Sequence, residues 1–109
     1  MALIKHVMTD SGPASFWVVS LLQLDNFGKK AYVKIYGFYD KEHADRQNPR
    51  AVHTIEISVD PELYEEYFAP DLLAKIGKSP HEQAYIMLKR STIDDTGQVI
   101  DFTGAVDVL

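Results

Sequence analysis

A chain of 109 residues, 46% hydrophobic and 25% charged, has the make-up of one globular domain spanning 1–109 and excludes a disordered polypeptide. The formal net charge of −5 argues against a general nucleic-acid binder, which needs a basic face to neutralise phosphates. With no cysteine, neither a disulfide framework nor a thiolate metal site is available.

In chain order, 2–8 reads as a short first strand, ended by the turn formers Thr9, Asp10, Ser11, Gly12 and Pro13. Its apolar run is short and lacks a cleavage signal, so we read neither a signal peptide nor a membrane segment. The stretch that organises the chain is 15–39, two apolar strands around Asp25-Asn26-Phe27-Gly28. In 15–24, strict alternation puts Phe16, Val18, Leu22 and Leu24 on one face with Ser20, and Trp17, Val19 and Leu21 on the other. Apolar residues on both faces indicate a central strand. In 30–39, Val33 and Ile35 oppose Tyr32, Lys34, Tyr36 and Phe38, while Gly37 marks a bulge or the close approach of another backbone.

The charged segment 40–50 reads as a solvated connector that projects from the fold. Asp40 caps one helical turn, and Asn48-Pro49 stops it. A third core strand follows at 51–59, with His53, Ile55, Ile57 and Val59 facing inward. Asp60-Pro61-Glu62 starts a helix, Pro70 breaks it, and a further turn or two ends at Gly77. Ser79-Pro80-His81-Glu82 is a capping box, opening a helix from 80 to about 90 with Ala84, Tyr85, Met87 and Leu88 on one face. The tail turns at Asp94-Asp95-Thr96-Gly97, then carries a short strand at 99–102 and a last extended piece at 105–109. The fold class expected is α+β: an antiparallel sheet of about four to five strands, packed with one C-terminal helix and a shorter helix before it.

Chemistry is sparse. None of His6, His43, His53 and His81 sits in a metal spacing such as H-E-x-x-H. Asp40, Glu42, His43 and Asp45 have metal-ligand chemistry, but with Lys41 and Arg46 interspersed they read better as a solvated turn. Asp94 and Asp95 are better explained by a tight turn than by acid–base work. His53 reads as a satisfied core histidine and His81 as a surface residue. With no nucleophile elbow, P-loop or dinucleotide fingerprint, the expectation is no enzyme, no catalytic, cofactor-binding or metal residue, and no small-molecule substrate.

The stripe Tyr32, Tyr36, Phe38 has two readings. It is a second core layer under the C-terminal helix, which aromatic strand residues favour, or it is a contact surface for a partner chain.

A resemblance bears on function. The polar loop after Tyr36-Gly37-Phe38, the helix string Gln83-Ala84-Tyr85-Ile86-Met87-Leu88-Lys89 and the closing Gly104-Ala105-Val106-Asp107-Val108 resemble small proteins encoded near the tail genes of tailed bacteriophages and prophages. The chain departs from them in the helical stretch 61–77 and the link 91–102. The resemblance implies a structural or assembly protein of the tail or connector region, homo-oligomeric or bound to other virion proteins, found in the virion or host cytoplasm. The alternative is a small acidic modulator of a host protein, suggested by the acids in 60–66 and 94–107.

Overall fold

The computed structural model describes residues 1–90 and 92–108. Its strands are β1 (Ala2–Thr9), β2 (Gly12–Asp25), β3 (Lys30–Phe38), β4 (His53–Val59), β5 (Thr92–Ile93), β6 (Val99–Ile100) and β7 (Val106–Val108). Its helices are α1 (Lys41–Ala44), α2 (Pro61–Tyr67), α3 (Pro70–Ile76) and α4 (Pro80–Leu88). Five strands form an antiparallel sheet in the order β4-β3-β2-β1-β7, and β5 and β6 form a separate two-stranded ribbon. The α+β class expected from sequence is the class observed. No helix among the described residues is long and apolar enough to cross a membrane.

Helices α2 and α4 and the β5–β6 ribbon pack on one side of the sheet, while α1 packs through Ala44 on the other, against Phe16 and Phe38. On the first side Val19, Val33, Ile35, Ile57 and Leu3 meet Tyr64, Phe68, Tyr85, Met87 and Leu88 in one buried cluster. Local chemistry sets the helix ends. Asp60 caps α2 through the Leu63 N–H, and Ser79 and Glu82 close the capping box of α4. Pro70 at the first position of α3 makes it a separate helix, and it ends where Gly77 turns left-handed.

A β-bulge corrects the expected faces of β2. The register with β3 slips between Val19 and Leu21, leaving Ser20 unpaired, with its hydroxyl donating to the Lys34 carbonyl at 3.1 Å. One extra residue inverts the alternation beyond it. Leu22 and Leu24 therefore join Trp17 and Val19 on the helix side, while Leu21 joins Phe16 and Val18 on the other. Tyr85 of α4 stoppers the bulge: its hydroxyl accepts the Val19 N–H at 2.9 Å and donates to the Met1 carbonyl at 2.8 Å. Burial, only partly offset by the Val19 hydrogen bond, pushes this phenol above its ordinary pKa.

Gly37 marks neither a bulge nor another backbone. It lies opposite Trp17, whose indole covers it so closely that a Cβ there would stand 2.4 Å from a ring carbon. The connector 40–50 does not simply project. Ala44 and Ala51 pack against Phe38 and Phe16, and the Val52 N–H donates to the Gly37 carbonyl at 2.8 Å.

Candidate functional site

Three features are candidates for function: the sheet face turned away from α2 and α4, bare except where α1 packs at Phe38, the β2–β3 hairpin tip, and a cavity at the far end of β2.

The bare face follows from strand alternation and the bulge. Across β7, β1, β2 and β3 it presents Val106, Ile4, Val18, Leu21, Tyr36 and Tyr32. Val106 is 61% exposed, Ile4 45% and Leu21 41%. Tyr36 stacks edge-on against Phe38, and the Lys34 ammonium sits 5.6 Å from the Tyr36 ring centre. The Tyr32 phenol is raised above its ordinary pKa by desolvation and by the nearby Glu56 carboxylate. The stripe Tyr32, Tyr36, Phe38 thus lies opposite α4, not beneath it, which corrects its placement under the C-terminal helix, although Phe38 does belong to a second buried cluster against which Tyr36 packs. Phe38 is only 5% exposed, buried against Ala2 and Phe16. Tyr32 and Tyr36 are the members with free surface.

At the hairpin tip, Phe27 is fully exposed, at 101%. The tip is held from three sides. The Asp25 carboxylate accepts the Gly28 N–H at 2.9 Å, the Tyr64 hydroxyl of α2 donates to the Asn26 amide oxygen, and Lys29 pairs with Glu65 of α2 at 3.1 Å. A Cβ at 28 would lie 2.5 Å from an Asp25 carboxylate oxygen, so a larger residue there must push that carboxylate off the Gly28 N–H. Phe27 is not singled out by pattern alone. The available signal is its type, since turn positions favour Gly, Pro, Asn, Asp and Ser.

The cavity, about 200 Å³, opens between the β1–β2 turn and the β5–β6 ribbon. Trp17, Phe102 and Ile100 form its apolar floor, His53 its side, and Asp10 and Asp101 its rim. The indole is fixed: its Nε1–H donates to the Lys5 carbonyl at 2.9 Å, and Phe102 packs edge-on at 5.0 Å. His53, expected in the core, is half-buried at the cavity wall, edge-on to Trp17. His81 is exposed.

The remaining polar candidates are occupied. Asp40 accepts the backbone N–H of His43 at 2.9 Å and meets its ring Nδ1 at 2.7 Å, which holds the carboxyl below its usual range. Asp45 pairs with Lys41. Among the described residues no three His, Asp or Glu side chains converge as metal ligands. Asp94 and Asp95 point apart. Burial pushes Asp94 up, but hydrogen bonds from Thr96 and from the Gln98 N–H outweigh it and hold the carboxyl low. Asp95 instead reaches β4, where it accepts from the Ser58 N–H and hydroxyl while its own N–H donates to the Glu56 carbonyl. This turn covers an outer edge of the sheet that would otherwise pair with other chains.

Comparison of the chain with protein-family models, curated proteins and solved structures finds no match.

Proposed function

We propose that this chain is a non-enzymatic structural or assembly protein of a tailed phage or prophage, from the tail or connector region, working through protein–protein contacts as an oligomer or beside other virion proteins. The observation that carries this reading is the exposed apolar part of the sheet's second face. Helices α2 and α4 cover one face; on the other, α1 and the connector cover Phe16 and Phe38, and Val106, Ile4, Leu21 and Tyr36 keep free surface across four strands. Exposed apolar residues gathered on one sheet face mark an interaction surface. The resemblance in 83–89 and 104–108 supplies the biological setting. The acidic-modulator alternative rests on the acids in 60–66 and 94–107, of which Asp60 caps α2, Glu65 pairs with Lys29, and Glu66 with Arg90.

The test is twofold: light scattering over a concentration series, and a search for the chain in purified particles. Self-association or incorporation supports the reading. A strict monomer that never enters particles refutes it.

A further inference from the structure

We propose that the Phe27 tip of one copy plugs the Trp17–Phe102 cavity at the opposite end of a second copy, joining chains head to tail. The inference rests on the assembly reading above and names an interface for it. A fully exposed phenylalanine on a mobile loop could fold back onto its own domain, but this one is anchored outward through Asn26, Gly28 and Lys29. An interface residue fixed before binding loses little entropy on docking.

The cavity matches the plug in three respects. Its size admits a phenyl ring, since an enclosed apolar cavity of about 150 Å³ already takes benzene and this one, open at the rim and lined also by Thr9, His53 and Gln98, measures about 200 Å³. Its floor is aromatic and aliphatic, through Trp17, Phe102 and Ile100. Its charge is complementary at one point: Lys30 stands at the base of the tip and Asp10 at the rim, and neither is in an ion pair among the described residues. Asp101, also at the rim, already lies beside the Lys5 ammonium, which donates to its carbonyl at 2.8 Å. The tip's own acid, Asp25, is turned inward onto the Gly28 N–H.

Position fixes the kind of assembly. Tip and cavity lie at the two ends of β2, because Asp25 pairs with Lys30 at one end and Gly12 with Thr9 at the other. Joined head to tail, such contacts are heterologous, and repetition gives a ring where the rotation closes and a filament where it does not.

The experiment uses two full-length variants with folds checked by melting. Phe27→Ala removes the tip and leaves the cavity. Val99→Trp, at a residue that is 67% exposed and lines the cavity, blocks the cavity and leaves the tip. Native mass spectrometry is expected to give multimers for the wild type and at least about a tenfold weaker association for either variant alone. An equimolar mixture of the two is expected to stop at dimers, since only one tip and one cavity remain usable. Wild-type-like assembly of Phe27→Ala, or a mixture of folded variants without dimers, overturns the pairing and leaves the assembly reading standing. A wild type that stays monomeric also overturns it, and the assembly reading is then judged on entry into particles. So does a monomer that sediments with phosphatidylglycerol vesicles through Phe27, which would make the tip a membrane contact.

Discussion

Replacing Gly37 with alanine tests the packing at the centre of the sheet and the floor of the end cavity together. The new Cβ would stand 2.4, 2.7 and 2.8 Å from three carbons of the Trp17 ring. Ordinary carbon contacts fall at about 3.5–4.0 Å, so the indole must retreat by roughly 1 Å. It has little freedom to do so, because Nε1 is bonded to the Lys5 carbonyl and Phe102 is packed edge-on. Backbone strain is not involved, since the positive-φ glycines are 12, 77, 97 and 104. Overpacking of this kind costs about 1–3 kcal/mol. Loss of glycine's freedom in the unfolded chain returns about 0.4–1 kcal/mol. The net loss of about 1–2 kcal/mol corresponds to a fall in melting temperature of roughly 5–15 °C for a domain of this size.

The assay is unusually clean because Trp17 is the only tryptophan. Its emission should shift as the ring moves toward the cavity, alongside the drop in melting temperature. Adding Trp17→Phe should restore part of the loss that Gly37→Ala causes, since the smaller ring leaves room for the Cβ, and a double-mutant cycle isolates that coupling. A Gly37→Ala variant with wild-type melting temperature and unchanged emission would refute the contact and the cavity floor built on it.

Two further perturbations probe the bulge and the tail. Tyr85→Phe removes the acceptor of the buried Val19 N–H, and denaturant unfolding should show a loss of about 1–3 kcal/mol; no loss would mean that the bulge needs no stopper. Asp94 has a carboxyl pKa lowered on folding, so it stabilises the fold above the ordinary value of about 4, and that contribution fades as pH falls through the lower folded value. The melting-temperature gap between wild type and Asp94→Asn should therefore be widest near neutrality and close in acid, and a gap independent of pH would refute the assignment.

Much of the fold is legible in the sequence because its signals are local. The capping box at Ser79 and Glu82, the proline starts at 61 and 70 and the glycine stop at 77 act within one helical turn, and each element begins or ends where they stand. The alternation of β3 and β4 is likewise uninterrupted, and the inward residues Val33, Ile35, Ile55 and Ile57 are the buried ones. β2 is different. Its inside–outside pattern depends on one unpaired residue, and Ser20 carries no turn chemistry that distinguishes it from an ordinary strand serine. The reason for the bulge lies 65 residues further along, in Tyr85, which satisfies the Val19 N–H that the slipped register leaves free.

That displaced phase decides what the bare face contains. Under strict alternation Leu22 and Leu24 would point away from the helices beside Tyr36, and Leu21 would point in. The slip turns two leucines into the core, where they pack beside Val33 and Ala31, and turns one out. The face left open is consequently a narrow apolar band flanked by Lys34, Glu56, Ser20 and Gln23 rather than a greasy sheet. Such a band suits an interface between folded partners, with an apolar centre and a polar rim, better than it suits an indiscriminate aggregation surface. The covered β4 edge works in the same direction. With Asp95 occupying the backbone groups of Glu56 and Ser58, edge-to-edge strand addition is blocked there. The other outer strand, β7, pairs only with β1 among the described residues, so strand addition there stays open beside the side-chain contacts proposed for the bare face and the Phe27 tip.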